Sequence, residues 1–208
     1  MHALNEVTGV GENTLTYDKN GNMTTDEMGK KFVYDAWNRL VEFSETVEET
    51  TTVLKSYSYD GMNRRITETV GEVTTQLVYS IQWQVLEEIV DGHVTARNVW
   101  SPIYVDAMIL RDRDTDNDEF HTLDERLWVQ QDANFNVTAL IGKVEGVWTV
   151  VERYMYDTFG KVTVLNADYT VKDGGTAYAW QYYHQGARID LVTGNSCPCT
   201  CTYACADT

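Results

Sequence analysis

The chain has 208 residues, of which 43% are hydrophobic and 12% aromatic, and its formal net charge at pH 7 is −16. This length and composition suffice for the core of one domain. The acidic charge argues against a nucleic acid partner, because binding to phosphate backbones depends on clustered Lys and Arg. No apolar run approaches the ~20 residues that span a bilayer, and the amino end lacks the regions of a secretory signal.

The dipeptide Tyr-Asp recurs in one local frame, and Gly or Asn follows three positions after each Asp. The four full copies comprise Tyr17, Asp18 and Gly21; Tyr34, Asp35 and Asn38; Tyr59, Asp60 and Asn63; and Tyr156, Asp157 and Gly160. A fifth copy, at Asp132, keeps the Asp but has lost the Tyr. Tyr79 and Tyr104 lie near the places of further degenerate copies, which predicts about seven repeats, each too small to bury its own face alone.

The repeated frame predicts a turn between two strands. Asp at the first position of a type I turn accepts a backbone N–H from two residues on, and Gly or Asn at the fourth position tolerates the left-handed conformation. The Tyr before the turn suits a pleated face, where its ring packs and its hydroxyl reaches a partner or water. We therefore expect a structural role for these residues.

Alternating apolar and polar residues predict further strands. Apolar and polar residues alternate from Tyr79 to Val85, which predicts a first strand. Asp91-Gly92 is a turn signal, and Val94 to Trp100 is the predicted second strand of a hairpin. Turn signals also occur at 70–72 and at 145–146, between Thr- and Val-rich stretches. No long helical periodicity competes. The predicted fold is all-β, with consecutive antiparallel hairpins forming a curved, twisted sheet.

An acidic stretch offers possible metal chemistry. Carboxylates alternate at Asp112, Asp114, Asp116 and Asp118, as in loops that collect oxygen ligands for calcium. Neither register places both a Gly-like sixth residue and an acidic twelfth residue. A solvated acidic loop is therefore the favoured interpretation, calcium is the alternative, and no other cofactor is expected.

The Tyr-Asp-x-x-Gly-Arg-apolar frame resembles the YD repeat of the RHS family, the large surface and toxin-delivery proteins of bacteria. A second segment, containing Gly186, Arg188, Asp190 and Gly194, is similar to the start of the conserved RHS core ending. The resemblance implies a spiralling sheet of hairpins that forms a shell around a carboxy-terminal effector, in an extracellular or cell-surface protein. The implied partners are the remaining repeats or the effector domain of a longer parent chain.

We expect a repeat array over residues 1–179, the start of the core-like ending over 180–194, and a Cys-rich tail over 195–208. The tail carries all four cysteines, at 197, 199, 201 and 205. A frameshifted or truncated end is favoured over a zinc or copper site, because structural zinc sites use paired cysteines on two turns.

No catalytic motif is present, and the four histidines form no paired motif, so the sequence predicts that the chain is not an enzyme. The alternative to a shell segment is an extracellular module that binds a cell-surface glycan or protein. Its exposed aromatic rings would include Trp37, Trp83 and Trp148, although we expect these rings to fill the sheet core.

Overall fold

Strands dominate the computed structural model of the chain, which describes residues 6–116, 118–192 and the backbone of 196–197. The first eight strands are β1 (Gly9–Val10), β2 (Asn13–Thr14), β3 (Thr16–Tyr17), β4 (Met23–Thr25), β5 (Lys31–Tyr34), β6 (Leu40–Val47), β7 (Thr50–Tyr59) and β8 (Arg65–Val70). The next eight are β9 (Val73–Tyr79), β10 (Val85–Val90), β11 (His93–Trp100), β12 (Met108–Arg113), β13 (Glu125–Gln131), β14 (Val137–Val144), β15 (Val147–Tyr156) and β16 (Val162–Asn166). A 3-10 turn (His184–Gly186) and the short strands β17 (Arg188–Ile189) and β18 (Ser196–Cys197) follow.

Strands β3 to β16 form one twisted antiparallel sheet of fourteen strands, in which each strand is hydrogen-bonded to the next along the chain. This arrangement confirms the predicted all-β fold of consecutive antiparallel hairpins. Among the described residues the only helical segment is the 3-10 turn. The turns predicted at 70–72, 91–92 and 145–146 are confirmed, because each joins two paired or consecutive strands.

The stretch from Tyr79 to Val85 does not form the predicted strand. Tyr79 ends β9, Val85 begins β10, and residues 80–84 between them are a turn. Trp83 has a φ of +68°, which a strand cannot accommodate. The alternation of apolar and polar residues misled the prediction, because a degenerate repeat turn has the same pattern as a short strand.

The described residues divide into two compact units, one up to Thr75 and one from Gln76 onward. In unit 1 the buried side chains include Leu15, Phe43 and Tyr57. Charged groups lie beside them: the Lys55 ammonium is 2.9 Å from the Glu68 carboxylate, and both side chains are less than a tenth exposed. The inner face of unit 1 is therefore part apolar and part ionic.

Unit 2 has a larger apolar core. Strands β12 to β15 contribute Met108, Leu127, Val137, Leu140 and Tyr154, and the segment after β16 contributes Trp180, Tyr182 and Tyr183. Trp180 is 0% exposed, and full burial of a large apolar side chain stabilises by about 2–3 kcal/mol. The segment that follows the last sheet strand thus covers the inner face of unit 2.

Candidate functional site

The repeat turns are the most regular feature of the molecule. In six of seven turns along one edge of the strands, the first residue donates its N–H to the carbonyl of the fifth, and the fourth donates to the carbonyl of the first. In the turn at Asp60 these distances are 2.9 Å to Arg64 and 3.2 Å from Asn63. This is the pattern of a type I turn followed by a left-handed residue that forms a G1 bulge. The turns begin at Asp18, Asp35, Asp60, Ser80, Asp132 and Asp157, and the seventh, at Ser101, is two residues longer.

A first-position carboxylate organises the turns that begin with Asp. Asp60 accepts the N–H groups of Met62 and Arg64, both at 2.9 Å, and its second oxygen accepts from Nε of Arg64 at 2.7 Å. Partial burial acts to raise the pKa of Asp60, but the hydrogen bonds from Arg64 outweigh it and hold the pKa below its usual value. Asp35 has the same arrangement with Arg39 and a lowered pKa. These carboxylates are therefore ionised groups bound within their own turns.

The fourth position is left-handed in these turns, whatever residue occupies it. The values of φ are +85° at Gly21, +60° at Asn38, +64° at Asn63, +68° at Trp83, +62° at Phe135 and +86° at Gly160. Trp83 and Phe135 are bulky residues that rarely adopt this conformation. Ser80 takes the place of Asp in the Trp83 turn, and its Oγ accepts the N–H of Gln82 and Gln84. This copy therefore lacks the Tyr-Asp pair and keeps only its tyrosine, Tyr79.

In two copies the tyrosine before the turn bonds to the preceding repeat. The Tyr59 hydroxyl donates to the carbonyl oxygen of Leu40 at 2.7 Å, and the Tyr156 hydroxyl donates to that of Val137 at 2.6 Å. Both acceptors directly follow the fifth residue of the previous turn, 19 residues earlier. Burial raises the pKa of Tyr34 to about 12, and the Asp18 carboxylate adds to the rise. Burial also raises the pKa of Tyr156, whose hydroxyl therefore stays protonated and serves as a donor.

Polar side chains link adjacent turns in unit 1. Nη1 of Arg39 donates to the carbonyl of Asp60 and to Oδ1 of Asn63, both at 3.2 Å. Its guanidinium also lies over the rings of Trp37 and Tyr59, at 5.0 and 4.8 Å. Arg39 is thus shared between its own turn and the next one.

Glutamine side chains link adjacent turns in unit 2. Nε2 of Gln84 donates to the carbonyl of Val105 at 2.9 Å. Nε2 of Gln131 donates to the carbonyls of Asp106 and Phe135, both at 2.9 Å. Gln131 occupies the place of the repeat tyrosine, so the decayed copy has exchanged a hydroxyl donor for an amide. Apart from the missing Tyr, no feature of the sequence indicated this role.

The first two residues of the core-ending motif, Gly186 and Arg188, lie in a short hairpin, residues 181–189, whose tip meets three repeat turns. His184 lies against Gly160, the N–H of Gln185 donates to Oδ1 of Asn136 at 3.0 Å, and Gly186 lies against Asp106. A Cβ on Gly186 would be 2.9 Å from the carbonyl oxygen of Asp106. We refer to residues 181–189 as the ending hairpin.

Two described members of this motif, Arg188 and Asp190, are buried. Arg188 lies 3.4 Å from the Glu88 carboxylate, and Asp190 accepts the N–H of Val192 at 3.0 Å. Gly194 lies outside the described residues. The described members of the motif lie in unit 2.

Two buried ionic side chains fasten the segment before the ending hairpin. Arg111 donates to the carbonyls of Tyr178 and Ala179, at 2.6 and 3.1 Å. Glu152, which is 0% exposed, accepts from Lys172 Nζ at 2.6 Å and from the N–H of Ala177 at 3.0 Å. Burial acts to raise the pKa of Glu152, but these hydrogen bonds outweigh it and lower the pKa.

The acidic loop, residues 114–124, places the predicted calcium ligands differently from their spacing in sequence. One carboxylate oxygen each from Asp114, Asp116 and Asp124 lies within 4.8 Å of the others. Asp112 instead accepts from Nε and Nη2 of Arg126, both at 2.7 Å. Asp118 accepts the N–H of Phe120 at 2.9 Å. The calcium site stays a prediction, and the carboxylates that converge are Asp114, Asp116 and Asp124.

The cysteines of the Cys-rich tail at 199, 201 and 205 lie outside the described residues, as does the side chain at 197. The tryptophans differ from the expectation that they fill the sheet core. Trp37 is 69% exposed and Trp148 is 47% exposed, whereas Trp83 is half-buried in its turn. Trp37 is exposed because it occupies the outer, third position of a turn. No helix within residues 6–116 and 118–192 is long and apolar enough to cross a membrane.

Comparison with known proteins identifies relatives over most of the chain, while no protein-family model matches it. The tRNA nuclease WapA of Bacillus subtilis (strain 168) is 29% identical over 188 residues, which cover 89% of this chain and 7% of that protein. The tRNA(Glu)-specific nuclease WapA of Bacillus subtilis subsp. natto is 30% identical over the same shares. The chain thus corresponds to a small part of these relatives.

Solved structures of TcdB2-TccC3 and of TcdB2-TccC3-Cdc42 are also similar, each with 16% sequence identity and a TM-score of 0.47. They match 76% and 88% of this chain and 9% and 11% of the respective solved chains.

The prediction that the chain is not an enzyme is wrong on this comparison, because the relatives are named nucleases. The prediction rested on the absence of a catalytic motif in this chain. That absence carries no information about the much longer proteins to which the chain is related. Together with the repeat frame, the relatives support an RHS-type, toxin-associated repeat segment in general terms. Assignment of the individual copies as YD repeats stays a prediction.

Proposed function

We propose that the chain is a structural repeat segment of a longer RHS-type protein and contributes its sheet to a shell around a carboxy-terminal effector. The observation that carries the proposal is the hydrogen bond from Tyr59 to Leu40, repeated from Tyr156 to Val137, by which one repeat holds the turn before it. Such nearest-neighbour contacts let an array extend to any number of repeats. The proposed division into 1–179, 180–194 and 195–208 follows the same scheme.

The relatives suggest the class of effector. Because they are named tRNA nucleases and this chain matches 7% of their length, we propose that the parent protein delivers a nuclease that acts on tRNA. Delivery of an effector requires an extracellular or cell-surface stage, which is the proposed location. The remaining repeats and the effector domain are then the partners of this segment.

Limited proteolysis of the intact parent polypeptide tests the shell. We expect the effector region to resist protease until the repeat sheet is cleaved, and then to be degraded or released. Rapid digestion of the effector while the repeat region stays whole would contradict enclosure. The purified effector region alone serves as the protease-sensitive control.

A second candidate is a module that binds a glycan or a protein on a cell surface. Trp128 on β13 and Trp148 on β15 form an exposed edge-to-face pair, with ring centroids 6.5 Å apart and an interplanar angle of 78°. Exposed tryptophan rings suit sugar faces and protein interfaces alike. A glycan array with the intact chain, and with a Trp128→Ala, Trp148→Ala variant as control, tests the glycan. Signals that persist in the variant would exclude this pair as the site.

A further inference from the structure

We draw no further inference here: the strongest candidate, the pair of repeat turns in unit 2 that exposes Ile81 and Ile103 at one edge of the sheet, carries none because nothing in the structure shows what covers these side chains.

Discussion

The hydroxyl of Tyr59 donates a hydrogen bond to the carbonyl oxygen of Leu40, which lies 19 residues earlier, at the end of the preceding turn. Tyr156 and Val137 have the same relationship in unit 2, so the bond recurs in two copies of the repeat, whereas the Tyr17 hydroxyl donates to the carbonyl of Val7. The ring supplies packing and the hydroxyl supplies registry between neighbouring hairpins. This division of roles explains why the repeat uses Tyr where Phe would pack equally well.

Removing the hydroxyl should therefore cost stability without disturbing packing. We expect Tyr59→Phe to lower the free energy of unfolding by about 1 kcal/mol, the usual contribution of a single buried hydrogen bond. Denaturant titration measures the change. Tyr169→Phe, at a ring that is 65% exposed, is the control and should have little effect. Equal losses from both substitutions would show that the bond to Leu40 has no special weight.

The turn carboxylates should make the free energy of unfolding depend on pH in the acidic range. In the folded chain the pKa values of Asp18, Asp35 and Asp60 are lowered, because hydrogen bonds within each turn outweigh partial burial. A carboxyl whose folded pKa lies below the usual 3.8 stabilises the fold above that pH and loses its contribution as the pH falls through the lowered value. We expect the free energy of unfolding to decline as the pH falls below about 4.

The matched variant for this acid dependence replaces Asp35 and Asp60 by Asn. It should be less stable at neutral pH and should show a shallower decline in acid, measured by urea unfolding at each pH. Glu72→Gln, at an exposed turn of the opposite edge, should leave the slope unchanged. A slope in the double variant equal to that of the native chain would contradict the role of these two carboxylates.

Two glycines with the same backbone conformation separate strain from contact. Gly160 has a φ of +86° and Gly146 has a φ of +85°. A Cβ on Gly160 would lie 3.2 Å from Cγ of His184, whereas a Cβ on Gly146 meets nothing within 4 Å. We expect Gly146→Ala to cost about 1–2 kcal/mol from backbone strain and Gly160→Ala to cost more.

The excess at Gly160 should depend on the histidine. In a double-mutant cycle, His184→Ala should remove most of the difference between the two glycine substitutions, because it removes the atoms that a Cβ would meet. Thermal or chemical unfolding gives the free energies. Identical costs for the two glycine substitutions would show that the His184 ring moves aside without loss of stability. Other contacts would then hold the ending hairpin in place.

Glu152 should be the most sensitive carboxylate in unit 2. Glu152→Gln leaves the Lys172 ammonium without its buried counter-charge, and breaking such a pair costs about 3–5 kcal/mol. Near-UV circular dichroism through a thermal melt reports the loss, since Tyr154 donates to the same carboxylate at 2.5 Å. Glu145→Gln, at an exposed turn of the same hairpin, should be nearly neutral. A small effect of Glu152→Gln would show that Lys172 reaches water when its partner is neutral.

The calcium prediction now has a defined ligand set. If the acidic loop binds calcium, titration calorimetry should give weak, roughly millimolar binding that Asp124→Asn abolishes and Asp112→Asn preserves. Asp112 is the control because its carboxylate is already paired with Arg126. Absence of heat at millimolar calcium would end the prediction and leave the solvated loop.

The sequence predicted local structure well where one residue determines the backbone. Asp at the first position of a turn, and Gly or Asn at the fourth, specified both the turn and the hairpin around it. The prediction failed at Tyr79 to Val85, where Ser80 and Trp83 form the same turn without its usual residues. There the hydrogen bonds of neighbouring strands impose a left-handed conformation that Trp does not itself favour.

Contacts between distant segments could not be predicted from the sequence. Gln131 links two turns, and the tip of the ending hairpin meets three, yet no spacing rule connects residue 185 with residue 136. Exposure was also unpredictable, since Trp37 and Trp180 belong to the same residue type and are 69% and 0% exposed. The position of a ring on the outside of a turn or under the sheet depends on the assembled fold.

The bond from Arg111 to the carbonyl of Tyr178 joins groups 67 residues apart, whereas a hydroxyl link between repeats spans 19. Closing a longer loop costs more chain entropy, and non-local contacts form later in folding. Hairpins of unit 2 should therefore assemble first, in fast local steps. The segment around Trp180 should dock afterwards in a slower step, and until then the inner face of the hairpins stays open to solvent.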